Sequence, residues 1–464
     1  MKKVLLLGGL ICLLLAPRAA VALEVPLEYV KFGDRTGGRV FQPFGYSQLT
    51  VSLARPAGEW RLPAFQSPQP LFALVTLADG QRLVAFDQVA GKEDGATGQL
   101  LRDFGVSAKA DEFYNRMYFD ANGNRDLTDD APVNGRPVFP ESRDARSCHV
   151  QFPSVDTTVQ RDGQAVPFRF RVYLEGTGLQ DGSPGRLTDL YPHVQARLML
   201  GCCYAGTFRL GTHAYSFQLA DMNCNGSCGD AGRISDIRYG GEVPRRFYTR
   251  GDELFIRRDG RPDEEDGEIL GDYLLLEETL YEVRVSEAAR RLTLTPVAVP
   301  LLPVQLGGAT HRSALWMPDR QRMVTLVGAG DRVLLPAGQY QLVHYQLRQK
   351  DSAGAVWQLE ARGSAENAGA TARNGATPQL KFGEPYTASV AVSARQRTRL
   401  DADLNLAFSL RGAGDEAVTS FRREAGRSAS IAMSTRSPYL PKEPSYRILQ
   451  ADGEIVAQGD FEYG

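Results

Sequence analysis

The stretch "LFALVTLADGQRLVAFDQV" (residues 71–89) decides the fold class of this chain. Two apolar runs flank Asp79-Gly80, a dipeptide that favours tight hairpin turns, so the stretch predicts a strand, a turn and a second strand. The segment "TLYEVRVSEAARRLTLTPV" (279–297) has the same form. Helical periodicity is almost absent, apart from a candidate short helix at 98–105. The sequence therefore predicts a mainly β fold made of β-sandwich or barrel modules in tandem.

Proline-rich and low-complexity segments predict where the modules end. The segment "PVAVPLLP" (296–303) interrupts a strand ladder, because proline cannot donate to it. The segment "AENAGATARNGATP" (365–378) contains few large apolar residues and is typical of a linker. The tail, residues 446–464, resembles the last strand pair of immunoglobulin-like sandwich domains. The predicted division is a leader at 1–22, a β-rich domain at 23–300, a small β-domain at 301–370 and an immunoglobulin-like domain at 380–464.

The first residues, "MKKVLLLGGLICLLLAPRAAVALE", predict a secretory signal peptide. Two lysines precede a short apolar run, and Ala20-Val21-Ala22 forms a small-x-small cleavage site. Acylation at Cys12 is rejected, because Ile11 stands where a small residue would be needed. No later run is long and apolar enough to span a bilayer. The chain is therefore expected to be exported, to the periplasm or beyond the cell.

Charge limits the classes of partner. The formal net charge is −2, which predicts neither a nucleic-acid partner nor a membrane-surface partner. An envelope or extracellular partner is compatible with export, but the sequence identifies none.

The segment "YFDANGNRDLTDDAPV" (118–133) concentrates carboxylate and amide side chains on alternate residues. Calcium takes six to eight oxygen ligands, and a loop supplies them well from alternating positions. Counting from Asp120 as position 1, the expected ligands are Asp120, Asn122, Asn124 and Asp126, with Asp129 or Asp130 closing the shell. The loop departs from the EF-hand pattern, because Arg125 occupies position 6 and Ala131 occupies position 12.

A second segment, "LADMNCNGSCGDAGRISD" (219–236), repeats the pattern. Counting from Asp221, the expected ligands are Asp221, Asn223 and Asn225, with Asp230 and Asp236 as closing candidates. Here Gly226 occupies position 6, where the motif needs a sharp turn. The alternative for both loops is a tight polar turn without metal, which Asn, Asp and Gly also favour.

The two loops resemble the calcium loops of dockerin and of thrombospondin type 3 repeats. More broadly, residues 70–135 and 205–300 resemble uncharacterised exported bacterial β-rich proteins that carry "D-x-N-G-(N/D)-x-D-L-T-D-D" segments. The resemblance implies a structural calcium site at each loop and says nothing about a biological role.

Four cysteines cluster near the second loop, and export favours disulfides among them. The candidates are Cys202, Cys203, Cys224 and Cys228. A bridge from Cys202 or Cys203 to the loop would close a longer ring than a bridge between Cys224 and Cys228, and would stabilise the fold more. A zinc site made of the same four residues is the alternative, although the spacing lacks paired C-x-x-C knuckles.

No sequence motif for catalysis is present: the chain has no G-x-S-x-G, H-E-x-x-H, Walker or dinucleotide-binding segment. Two hypotheses follow. The first is a non-enzymatic, calcium-stabilised binding or structural component of the envelope or the extracellular space. The second is a secreted hydrolase acting on polysaccharide or protein, whose paired carboxylates would be assembled only in space.

Overall fold

The structure, a computed structural model, describes fourteen segments of the chain. They are residues 21–32, 45–89, 114–138, 147–177, 194–235, 247–258, 267–288, 290–308, 310–364, 366–367, 369–392, 406–424, 433–437 and 439–462. Most of the predicted leader, the candidate helix at 98–105 and Asp236 lie outside these residues.

The described residues form thirty-four strands and no helix, so the predicted mainly β fold is confirmed. They contain no helix of the length and hydropathy that a membrane crossing requires. The strands are β1 (Leu23–Pro26), β2 (Glu28–Lys31), β3 (Tyr46–Leu49), β4 (Leu71–Leu77), β5 (Gly80–Asp87), β6 (Arg116–Phe119), β7 (Val133–Asn134), β8 (Arg136–Val138), β9 (Ser147–Gln151), β10 (Val155–Arg161), β11 (Gln164–Thr177), β12 (Val194–Leu200), β13 (Cys202–Leu210), β14 (His213–Ala220), β15 (Arg233–Ser235), β16 (Tyr248–Arg250), β17 (Glu253–Arg258), β18 (Glu268–Ile269), β19 (Tyr273–Leu276), β20 (Thr279–Ser286), β21 (Arg291–Pro296), β22 (Leu301–Leu306), β23 (Arg312–Met317), β24 (Arg322–Val327), β25 (Arg332–Pro336), β26 (Gly338–Lys350), β27 (Val356–Arg362), β28 (Ala370–Ala372), β29 (Gln379–Leu380), β30 (Thr387–Val392), β31 (Leu406–Arg411), β32 (Ala417–Arg423), β33 (Ser445–Leu449) and β34 (Ile455–Asp460).

The strands combine into several sheets. The largest has twelve strands in the order β1-β21-β20-β19-β24-β23-β26-β27-β32-β31-β30, with β28 added on β26. The others are a six-stranded sheet (β3-β12-β11-β9-β8, with β10 on β11), a five-stranded sheet (β18-β17-β14-β13-β2), a four-stranded sheet (β4-β5-β6-β7), a three-stranded sheet (β25-β22-β29) and two hairpins (β15-β16 and β33-β34).

The four-stranded sheet is buried on both faces, which explains why its strands read as apolar runs rather than as strict alternation. Along β5, Val84 and Phe86 face the six-stranded sheet and form an inner core with Phe170. Leu83 and Ala85 face the opposite way, into a smaller outer core that contains Trp60 and Leu127. Leu127 belongs to the first acidic loop, so that loop covers the outer face of this sheet.

The twelve-stranded sheet packs against two smaller sheets in different places. Near β19–β21 it faces the five-stranded sheet, and Leu254 and Phe217 contact a layer that includes Leu274 and Leu294. Near β23, β24 and β26 it faces the three-stranded sheet, through a core that includes Val304, Val333, Leu315 and Val324. Sheets that pack face to face across an apolar layer are a β-sandwich arrangement.

The large sheet continues through the predicted module boundary at 296–303. β19 pairs in parallel with β24, with Tyr273 opposite Val324. β27 pairs in antiparallel fashion with β32, with Leu359 opposite Phe421, so one sheet also joins the predicted second and third β-domains. The domain limits themselves stay a prediction.

Candidate metal-binding loops

The first loop leaves the end of a buried strand. Met117 and Phe119 of β6 face the inner core, and Asp120 follows directly. The backbone N–H of Asp120 donates to the carbonyl of Leu83 at 3.0 Å, and the side chain of Asp120 is fully buried. The strand therefore fixes the first predicted ligand in place.

Backbone N–H groups hold the next side chains of this loop in a regular pattern. Asp120 Oδ1 accepts from the N–H of Gly123 at 2.8 Å. Asn122 Oδ1 accepts from the N–H of Asn124 at 2.9 Å, and Asn124 Oδ1 accepts from that of Asp126 at 2.8 Å. Asn and Asp side chains commonly bond their own backbone two residues on, so the alternating sequence generates this series of turns.

Both predicted closing carboxylates turn back toward the start of the loop. Asp129 Oδ2 accepts from Nδ2 of Asn124 at 2.7 Å and from Nδ2 of Asn122 at 3.4 Å. Asp130 Oδ2 accepts from the N–H of Ala121 at 3.3 Å. The loop therefore brings Asn122, Asn124 and Asp129 together.

The side chain of Asp126 is bonded outside this group. Its Oδ1 accepts from the N–H of Thr128 at 2.9 Å, and its Oδ2 accepts from Nη1 of Arg61 at 2.8 Å. The hydrogen bonds from Thr128, followed by the charge of Arg61, lower the pKa of Asp126.

The second loop repeats the pattern position by position. Asp221 Oδ1 and Oδ2 accept from the N–H groups of Asn225 at 3.1 Å and Gly226 at 2.6 Å. Asn223 Oδ1 accepts from the N–H of Asn225 at 3.0 Å, and Asn225 Oδ1 accepts from that of Ser227 at 2.8 Å.

The closing residue of the second loop also matches. Asp230 occupies position 10, as Asp129 does in the first loop. Its Oδ2 accepts from Nδ2 of Asn225 at 2.6 Å and from Nδ2 of Asn223 at 3.4 Å. Two unrelated segments thus form the same amide-to-carboxylate contacts. The other closing candidate, Asp236, lies outside the described residues.

Two acidic residues beside the second loop were missed by sequence reasoning. Asp252, between β16 and β17, accepts through Oδ2 from the N–H of Asp230 at 2.7 Å. Glu287, which follows β20, accepts through Oε1 from the N–H of Cys228 and pairs with Arg161 at 3.4 Å. Only the folded sheets bring these residues to the loop, and no local pattern marks them.

Burial changes the acidity of this group. Burial, opposed in part by the N–H bonds of Gly226 and Asn225, raises the pKa of Asp221 to about 7, and the charges of Asp230 and Glu287 add to the rise. Burial and the charge of Asp221 raise the pKa of Asp252 well above its usual value. In the first loop, burial and neighbouring carboxylates raise the pKa of Asp130 to about 6.

One buried arginine, Arg82 of β5, binds the backbone of the first loop. Arg82 Nη1 donates to the carbonyl of Ala121 at 2.9 Å, and Nη2 donates to Asp79 Oδ2 at 2.8 Å and to the carbonyl of Thr158 at 3.2 Å. Asp79 belongs to the turn between β4 and β5, and the neighbouring N–H of Ala78 donates to the carbonyl of Asn225 at 2.7 Å. The same hairpin turn therefore contacts the second loop directly and the first loop through Arg82.

The four clustered cysteines are buried and their thiols are free. The predicted disulfide among Cys202, Cys203, Cys224 and Cys228 is therefore not formed in this structure. Cys228 packs in the core of the five-stranded sheet, whereas the other three pack in the inner core. That separation argues against the zinc alternative, which needs all four thiols at one point.

An open cleft of about 680 Å³ borders the second loop. Asn223, Asp230 and Asp272 lie on its wall. Asp272 accepts from both terminal nitrogens of Arg233, at 3.0 and 3.1 Å, and from the N–H of Met323 at 2.8 Å. A carboxylate so fully engaged is poorly placed to act as a general acid or base, so the cleft does not favour the hydrolase hypothesis.

In the described part of the chain, no three His, Cys, Asp or Glu side chains gather as a metal-binding group. The first predicted set contains four carboxylates, those of Asp120, Asp126, Asp129 and Asp130, and no three of them gather in this way. No protein-family model, no curated protein and no solved structure matches this chain. A functional assignment therefore depends on the residues themselves.

Proposed function

We propose that this chain is an exported, calcium-stabilised β-protein that acts as a non-enzymatic binding or structural component of the envelope or the extracellular space. The observation that supports it is the repetition at the two loops. In each, the side chains at positions 1, 3 and 5 accept backbone N–H bonds, and the amides at positions 3 and 5 donate to the carboxylate at position 10. A polar turn needs no such remote carboxylate.

The donor atoms of both loops suit calcium. They are carboxylate, amide and carbonyl oxygens, which a hard cation prefers. Each carboxylate or amide oxygen has two acceptor sites, so one that receives a backbone N–H keeps a second for a cation. Asp120, Asn122, Asn124 and Asp129 or Asp130 would hold an ion at the first loop. Asp221, Asn223, Asn225 and Asp230 would hold an ion at the second.

The architecture expected with this function is β-sandwich modules in tandem over 23–300, 301–370 and 380–464, the last one immunoglobulin-like. The sandwich packing of the described sheets supports the first part of this expectation. Expression of 301–464 beside 380–464 alone tests the last module. Because β27 pairs with β32, we expect the fragment 301–464 to have the higher melting temperature of the two.

A calcium-dependent melt tests the function. Extracellular calcium modules typically bind at about 10⁻⁴–10⁻³ M. At a hundred times the dissociation constant, binding adds about 2.7 kcal/mol per site to the free energy of unfolding. We therefore expect about 10 mM calcium to raise the melting temperature relative to chelator, and Asp120→Ala to remove only the first loop's share.

Asp452→Ala is the matched control. Asp452 makes the same kind of local turn bond, to the N–H of Glu454 at 3.1 Å, in the exposed hairpin β33-β34. This variant should keep the full calcium response. An unchanged melting temperature of the wild-type protein in calcium would leave both loops as ordinary polar turns.

A further inference from the structure

Asp252 is a buried carboxylate with an unused oxygen. Its side chain is fully buried, and its Oδ2 accepts from the N–H of Asp230 at 2.7 Å. Its Oδ1 has no hydrogen-bond partner, and no other carboxylate oxygen buried among the described residues lacks one. The buried carboxylates of Asp87 and Asp221, by contrast, accept on both oxygens. An ionised carboxylate is an acceptor only, so an unpaired, buried oxygen is costly unless a cation or a proton meets it.

The position of Asp252 is fixed by the backbone around it. Its N–H donates to the carbonyl of Asp230 at 2.9 Å, and its carbonyl accepts from the N–H of Leu270 at 2.8 Å. Together with the bond from the Asp230 N–H to Oδ2, these contacts clamp Asp252 against the closing residue of the second loop. The carboxylate is therefore held in place before any ligand binds, which reduces the ordering that binding must impose.

The two loops differ at position 11, and the second loop lacks there a carboxylate that Asp252 could replace. The first loop has Asp130 there, whose carboxylate turns back to the start of the loop. The second loop has Ala231 at the same position, with no side-chain oxygen. Asp252 lies beside Asp230, next to the position that Ala231 leaves without a carboxylate.

We propose that Asp252 is a ligand of the cation at the second loop and supplies, from the residue just before β17, the closing carboxylate that Ala231 lacks. This inference rests on the proposed calcium function and adds a residue to it. The site then consists of Asp221, Asn223, Asn225, Asp230 and Asp252. Its three carboxylates do not gather as a metal-binding group in this structure, so an ion would have to draw them together. Its ligands come from two distant segments, so an ion there ties the loop to the five-stranded sheet.

The test is calcium titration of the full chain by calorimetry, with melts in calcium and in chelator. Asp252→Asn keeps the shape of the side chain and removes its charge. We expect it to weaken binding at the second loop by at least about tenfold, because calcium affinity follows the count of charged ligands. The first loop should bind as in the wild type. In chelator the variant should melt at or above the wild-type temperature, because a buried charge is gone.

A rescue variant separates a ligand from a merely structural residue. Ala231→Asp combined with Asp252→Asn places a carboxylate at position 11, as in the first loop, and should restore binding. It also keeps the inference testable if the single variant folds poorly. A wild-type protein that binds no calcium overturns the proposed function together with this inference. If Asp252→Asn binds calcium at both loops with wild-type affinity, this inference alone is overturned. The same holds if the double variant folds in chelator but does not regain calcium binding at the second loop.

Discussion

The two acidic loops share one hydrogen-bonding pattern but lie in different surroundings. In the first loop, residues 122–125 are exposed. In the second, Asp221, Gly226 and Ser227 are buried, and the side chains between them are at most half-exposed. The same local sequence therefore gives one loop on the outside of a sheet and another loop enclosed between sheets.

This difference changes how strongly the carboxylates of each loop destabilise the fold. Asp129 is the exposed carboxylate of the first loop, and water and salt weaken its repulsion with the others. Buried carboxylates repel in a medium of lower dielectric, and each also loses its hydration. Asp221, Asp252 and Glu287 share the second environment, so we expect the second loop to respond more strongly than the first to charge, pH and cations.

Removal of the Arg82 guanidinium should cause the largest loss of stability. The side chain is 5% exposed, and Arg82→Met leaves Asp79, 11% exposed, without its cation. Breaking a buried ion pair typically costs about 3–5 kcal/mol. We expect a loss of that size in urea unfolding, together with protease sensitivity at the first loop.

The matched control for Arg82 is Arg61→Met. Arg61 likewise pairs with an aspartate, Asp126 of the first loop, but its side chain is 80% exposed. Exposed pairs contribute about 0–1 kcal/mol. Equal losses for the two variants would show that burial does not set the strength of these contacts.

A glycine of the second loop gives the next largest effect. Gly226 has φ +80°, and an added Cβ would lie 2.7 Å from Cγ2 of the buried Val159. Gly226→Ala should lose about 1–2 kcal/mol from the left-handed backbone and a further 1–3 kcal/mol from overpacking. Gly163→Ala is the control, because Gly163 has φ +75° and nothing within 4 Å. Calorimetric melts should therefore show a larger loss of stability for Gly226→Ala than for Gly163→Ala. Equal losses would show that the contact with Val159 contributes nothing.

The smallest effect expected is a pH response of opposite sign at Asp221 and Asp126. The folded pKa of Asp221 is about 7, above its value of 3.8 in an unfolded chain. Its contribution to stability is therefore fully present below pH 3.8 and is lost as pH rises toward 7. The folded pKa of Asp126 is lowered, so its contribution is present above pH 3.8 and is lost as pH falls.

Melts in chelator between pH 2 and pH 8 check this contrast. Asp221→Asn should flatten the fall in stability on the alkaline side, and Asp126→Asn should flatten the fall on the acid side. Two variants with the same pH profile would contradict the difference in environment.

The sequence predicts the local structure well, because local structure depends on residues close in the chain. The hairpin predicted at 71–89 forms as β4 and β5, with its turn at Ala78-Asp79, one residue before the predicted Asp79-Gly80, and 279–297 forms β20 and β21 as expected. The contacts of Asn122 and Asn124 with Asp129 follow from loop spacing in the same way. Asp252 could not be predicted, because only the pairing of β14 with β17 brings it to the second loop. The sheet that passes residue 300 was missed for the same reason, since its β19–β24 pairing is parallel and non-local.

The pairing of β1 with β21 has a consequence for the order of folding. Leu23 lies opposite Leu294, and Glu24 bonds Arg291 across 267 residues of chain. Such contacts close very long loops and form late, because the entropy of closure must be overcome first. Until β1 pairs with it, the edge of β21 that faces away from β20 has free N–H and C=O groups. A chain in which β21 has formed before β1 docks therefore exposes that edge to pairing with a second copy of itself.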